Sequence, residues 1–227
     1  MARRLMGRGP EYTARMKNDV KTGLVLMGGG ARAAYQVGVL QAIADIYQDT
    51  TPAPRGNPVP IIAGTSAGAI NGTALACGAD DFVGAVRALC EVWAGFHAEQ
   101  IYRADSLGVI RSGARWLSML SMGWVLARWR RSKPRSLLDN TPLSQMLDAM
   151  MDLRRIDYAM RQGHLRAVAV TASSYSSGQH VTFYQSREDI QPWTRSQRIA
   201  IRTRIKRDHL LASSAIPFVF PARELDL

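Results

Sequence analysis

The 227 residues suit one α/β domain, and 47% hydrophobic residues supply a sizeable core and exclude a chain disordered throughout. No apolar run approaches the ~18 residues of a membrane span, and Cys77 and Cys90, both in apolar helical patterns, read as buried free thiols. The net charge of +11, carried mostly by arginine, points to an anionic lipid surface as partner; because the basic residues are interleaved with acids and no spaced nucleic-acid motif occurs, nucleic acid is not expected.

Residues 1–21 are basic and lack the apolar centre of a secretory signal, so they read as a flexible leader on a cytoplasmic protein. Gly23 to Met27 is a short apolar run ending in glycines, the pattern of a buried parallel strand. Ala31 to Tyr47 follows with Tyr35, Val39, Ala42, Ile43 and Ile46 at helical spacing. A proline-rich loop leads to a second strand, Val59 to Ala63, and strand, helix and strand in this order form a right-handed βαβ unit. A helix is expected over Ala67 to Cys77, then another over Asp81 to Gln100 with Asp80 as its cap.

Residues 104–140 set tryptophans and methionines among arginines. Trp116 and Trp124 recur at helical spacing there, which suits a helix lying at a lipid surface and docking the protein on it; a core helix with a solvated basic rim fits the same pattern. After Ser136 come a loop and a helix with Thr141 as N-cap and Pro142 in the first turn. His164 to Thr171 and His180 to Gln185 read as strands, Arg198 to Lys206 as a half-exposed strand, and Asp208 as the cap of a short helix, His209 to Ala215.

Two motifs carry chemistry. Gly64-Thr65-Ser66-Ala67-Gly68, between a strand and a helix, has the form of a nucleophile elbow, in which Gly64 and Gly68 let strand and helix approach while the serine is held above the sheet edge. Gly28-Gly29-Gly30, directly after the first strand, presents amides with no side chains in the way, as an oxyanion hole requires. The same loop matches a dinucleotide fingerprint, Gly28-x-Gly30-x-x-Ala33, but the second strand ends in Ala63-Gly64 where that fold places an acidic ribose ligand.

The segments 27–40 (MGGGARAAYQVGVL), 60–76 (PIIAGTSAGAINGTALA), 134–143 (PRSLLDNTPL) and 211–223 (LASSAIPFVFPAR) together resemble the patatin-like phospholipases of bacteria, which are serine lipid acyl hydrolases. The resemblance implies a three-layer α/β/α domain with a mainly parallel central sheet over residues 22–227. It implies hydrolysis of phospholipid or related acyl-lipid esters by a Ser–Asp dyad, with no cofactor or metal. By position Ser66 would be the nucleophile and the amides of Gly28, Gly29 and Gly30 the oxyanion hole. An enzyme of this kind would work in the cytoplasm, peripherally at the inner membrane face. The family's aspartate lies in an Asp-Gly turn shortly after the Ile-Pro segment, and no Asp-Gly pair occurs in this chain; Asp226 is followed only by Leu227. The expectation is a domain incomplete at its C-terminal end, with little hydrolase activity of its own. Two alternatives stand beside it. One is a non-catalytic lipid-binding fragment of the same fold. The other is a Ser-His-Asp α/β-hydrolase using Asp139 with His164 or His180.

Overall fold

The computed structural model describes residues 22–51, 56–95, 140–217 and 219–225. The basic leader, the tryptophan-rich segment with Trp116 and Trp124, and the carboxylates Asp139 and Asp226 lie outside the described residues.

Strand β1 (Gly23–Leu26) passes through a 3-10 turn (Gly30–Arg32) into α1 (Ala33–Thr50). There follow β2 (Ile61–Thr65), α2 (Ala67–Cys77), α3 (Phe82–Ala94), α4 (Thr141–Met150) and α5 (Arg154–Gln162). The chain continues with β3 (Ala167–Ser173), β4 (His180–Ser186), β5 (Trp193–Arg195), β6 (Arg198–Arg202) and α6 (Arg207–Ser213). The strands form one sheet in the order β1-β2-β3-β4-β6-β5. β1, β2 and β3 are parallel; β4 reverses against β3, β6 runs parallel to β4, and β5 reverses at the edge. The fold is α/β with a mixed, mostly parallel sheet.

The register aligns Leu24 and Leu26 with Ile62 and Gly64, and these with Val168 and Val170, on one face of the sheet. The steps from β1 to β2 and from β2 to β3 go in the same direction, so right-handed crossovers place α1 and α2 over that same face. Leu26, Ile62, Val168 and Val170 accordingly join Val37, Leu40, Ile70, Leu210 and Leu211 in one buried cluster.

Helix α1 is apolar on both sides, and the side it buries is Ala33, Val37, Leu40 and Ala44. The residues whose spacing suggested the helix lie largely on the other side: Tyr35 is 79% exposed and Ile46 63%. Periodicity revealed the helix but could not choose between its two faces. Strand β2 starts two residues later than expected because Val59 donates to the Asn57 side chain in a turn, while the Pro60 carbonyl accepts from Arg166 and Ala167.

Three caps differ from expectation by one residue or more. Asp81, not Asp80, caps α3, accepting from the Gly84 amide at 3.0 Å. Asn140 occupies the N-cap of α4, with Thr141 and Pro142 already inside the helix. Helix α6 begins at Arg207, so Asp208 lies within its first turn. Helix α5 and the three-residue β5 carry no strong sequence signal. α5 buries only Ile156, Ala159 and Met160 among charged neighbours, yet Arg155 gives it a structural role. The Arg155 guanidinium donates to the Cys77 carbonyl at 2.8 Å and to both Asp80 oxygens at 2.7 and 2.9 Å, satisfying the C-terminal end of α2. Cys77 is buried, and that burial, with Asp152 nearby and Arg155 opposing, pushes its thiol up to about 12. Cys90 is only half-buried, contrary to expectation.

His209 packs into the core, 6% exposed, with its ring stacked on Phe183 at 4.2 Å between centroids. Its Nδ1 accepts the Lys206 backbone N–H at 3.1 Å, which requires the neutral ring. Burial, reinforced by the Lys206 charge and opposed by Asp208, lowers its pKa to about 4. The unfolded chain therefore binds a proton near pH 6.5 that the folded chain refuses until about pH 4. This contribution to stability is present above pH 6.5 and lost progressively as the pH falls to 4, by about 2–3 kcal/mol. Thermal denaturation of His209→Gln over this range is expected to show a correspondingly shallower loss than the parent protein.

Candidate active site

Strand β2 ends at Thr65 and α2 begins at Ala67, so Ser66 alone makes the turn between them. Its backbone sits at φ 55°, ψ −128°, a region L-residues rarely occupy, at a cost of about 1–3 kcal/mol. The Ser66 carbonyl accepts from the amides of Ala69 (2.9 Å) and Ile70 (3.1 Å), opening the helix. A Cβ on Gly64 would lie 2.4 Å from the Gly68 carbonyl oxygen and 2.6 Å from the Ala69 Cα. One on Gly68 would lie 2.4 Å from the Leu26 oxygen and 2.5 Å from that of Met27. Both contacts are with backbone, which cannot swing aside. The glycine spacing legible in the sequence is thus the close approach of β1, β2 and the first turn of α2.

The same contact delivers the glycine loop to the serine. A Cβ on Gly28 would stand 3.2 Å from the Ser66 Cβ and 3.9 Å from its hydroxyl oxygen. Among the described residues, no group accepts a hydrogen bond from the amides of Gly28, Gly29 or Gly30. Of the three, Gly28 lies beside Ser66 and so at the positive end of α2.

A polar relay centred on the buried Asn71 bears on this loop. The Gln36 amide donates to the Met27 carbonyl at 2.7 Å. Asn71, fully buried in α2, approaches the Ala33 carbonyl and the Gln36 oxygen at 3.4 and 3.5 Å, and accepts from the Trp93 indole at 2.9 Å. Three helices thereby bear on the residue that precedes Gly28. No motif marks Gln36, Asn71 or Trp93 as such; the only signal is a polar asparagine at the centre of an otherwise apolar helical run.

On the other side, the Ser213 hydroxyl accepts the Ser66 backbone N–H at 2.7 Å and donates to the Thr171 carbonyl at 2.6 Å. Beside it lies a cavity of about 340 Å³, lined mostly by apolar groups, Ala172, Val181, Phe183, Ala212 and Leu225 among them, together with Tyr175, three serines, Arg223 and Glu224. The Tyr175 hydroxyl donates to the Ala215 carbonyl, tying the β3–β4 turn to the chain after α6.

The histidines separate by position. His164 precedes β3, at the sheet end away from Ser66. His209 is committed to Lys206 and Phe183. His180, exposed, opens β4 opposite Ser173, two residues beyond the Thr65–Thr171 row, and so shares the sheet end of Ser66. Among the described residues nothing hydrogen bonds the Ser66 hydroxyl, and no three His, Cys, Asp or Glu side chains cluster as metal ligands would.

A family model, the patatin-like phospholipases, matches residues 24–226, nearly the whole chain. The chain belongs to this family. A stretch of 80 residues is 42% identical to lysophospholipase nte1 of Aspergillus terreus, covering 35% of this chain and 4% of that protein. Two solved structures of the ExoU–SpcU complex from the type III secretion system of Pseudomonas aeruginosa are also similar. One matches with TM-score 0.37 and 17% identity over 71% of this chain and 34% of the other; the second with TM-score 0.29 and 20% identity over 72% and 32%. Of the segments quoted from the sequence, those carrying Gly28, Ser66 and Ser213 meet at the candidate site.

The steric argument is open to direct measurement. Gly68→Ala is expected to cost about 3 kcal/mol in urea denaturation, the upper end for overpacking, because the added Cβ meets backbone on two sides. Gly38→Ala, in α1 where a Cβ meets nothing within 4 Å, serves as control and is expected to be neutral or stabilising by about 0.5–1 kcal/mol.

Proposed function

We propose that the protein is a serine lipid acyl hydrolase acting on phospholipid or related acyl-lipid esters, with Ser66 as nucleophile. The strained Ser66 turn, pressed against a glycine loop with uncommitted amides, is the observation that carries this reading. In the reaction the Ser66 hydroxyl attacks the ester carbonyl, and the amides of Gly28, Gly29 and Gly30 hold the oxyanion. The alcohol leaves, and water then releases the fatty acid from the acyl-enzyme. Family membership supports the lipid substrate. The apolar walls of the cavity beside Ser213 suit an acyl chain.

The base that takes the Ser66 proton is proposed to be the aspartate of a Ser–Asp dyad, supplied from outside the described residues. The patatin-like domain is assigned to residues 22–227, with 1–21 as a leader. Peripheral contact with an anionic membrane on the cytoplasmic side is proposed from the net charge and from the exposed apolar side of α1. Tyr35, Val39 and Ile46 are exposed on that side, as is Met27 before the glycine loop. Among the described residues no helix is long and apolar enough to cross a membrane. The position of His180 favours one second reading, a histidine-assisted serine hydrolase.

Hydrolysis of a fluorogenic phospholipid in mixed vesicles tests these readings. In a form of the protein that carries the dyad aspartate, Ser66→Ala is expected to abolish turnover, which identifies the nucleophile; turnover that survives it would remove the proposal. His180→Ala is expected to leave turnover within about twofold, whereas a general base would cost about 100- to 10,000-fold.

A further inference from the structure

Ser213 is the last residue of α6, where a serine can point to solvent or return its hydroxyl to a carbonyl one turn back in its own helix. Here it does neither. Its proton goes to the Thr171 carbonyl on β3 and its oxygen accepts the Ser66 amide, 147 residues away in sequence. Ser66 is the residue held at positive φ, and as the first residue of the turn it has no helical acceptor for its own N–H. The Ser213 hydroxyl is that acceptor, and its bond to Thr171 fixes the direction in which its lone pair points.

We propose that Ser213 is a positioning residue for Ser66: a hydroxyl bridge from the end of β3 that holds the nucleophile's backbone in its strained conformation and so sets where its side chain stands. The inference rests on Ser66 being the nucleophile. The bridge makes no contact with substrate; it acts through the Ser66 amide. Without it the N–H loses its partner, the strained turn relaxes, and the Ser66 oxygen moves from its place beside Gly28. Displacements on the order of 1 Å at a nucleophile lower rates by up to about 100-fold. The hydroxyl is the essential feature, so threonine should serve in place of serine and alanine should not.

Covalent labelling of the full chain with a fluorophosphonate, followed by mass spectrometry of the modified peptide, reads this without requiring turnover. In Ser213→Ala the maximal labelling rate at Ser66 is expected to fall at least about tenfold while the reagent concentration for half-maximal rate is unchanged. Ser213→Thr is expected to recover the rate to within about threefold. Amide hydrogen exchange supplies a second readout without chemistry: the Ser66 amide is expected to be protected in the parent protein and in Ser213→Thr, and to exchange faster in Ser213→Ala. Equal labelling rates in the parent and Ser213→Ala, with Ser66→Ala blank, would overturn the positioning role and leave the nucleophile assignment standing. A parent protein that is never labelled at Ser66 would remove the nucleophile assignment and this inference with it.

Discussion

The site depends on a place where no side chain can be. The first turn of α2 lies so close to the end of β1 that the carbonyls of Leu26 and Met27 occupy the space a Cβ on Gly68 would need. That contact does two things at once. It seats α2 over the sheet, and it carries the loop beginning at Gly28 onto Ser66. The strain at Ser66 and the proximity of the glycine amides are therefore two results of a single close approach, and the core formed by Leu26, Ile62 and Ile70 holds it shut.

Helix α2 receives little help from its own sequence. No side chain caps its first turn, and its interior is almost wholly buried. Its polar ends are satisfied by neighbours instead: Ser213 at the Ser66 amide, Asn71 with Gln36 and Trp93 midway, and Arg155 at the Cys77 carbonyl. Each partner comes from a different element. The helix that carries the candidate nucleophile is thus the hub through which α1, α3, α5 and α6 are oriented, and a shift in any of them reaches Ser66 through a named bond.

What was legible in the sequence follows from the range of the forces involved. Gly30 could be read because it takes a positive φ, and residues 64–68 and Gly28 because their glycines answer a close approach of chains. The span of α2 was readable for the same reason. The buried side of α1 was not, because both sides are apolar and only the tertiary partners choose Val37 and Leu40 over Val39 and Ile43. Helix α5 was missed because its anchoring comes from Arg155, whose partners lie more than seventy residues earlier. Ser213 was visible only as part of a resembling segment; nothing in its neighbourhood announces a bond to Thr171 and Ser66. The family came from motifs, whereas the bonds that hold the motifs in place come from the fold.

The reversal of direction between β3 and β4 brings residues 174–179 to the rim of the site as a hairpin turn, braced by Tyr175 against Ala215. The core does not run through this turn; its strands are already in register from Ser173 and His180 inward. Its length and side chains can therefore change while Ser66, the glycine loop and their supports stay as they are. Such a turn is where evolution, or an engineer, can alter what the site admits without rebuilding how it reacts.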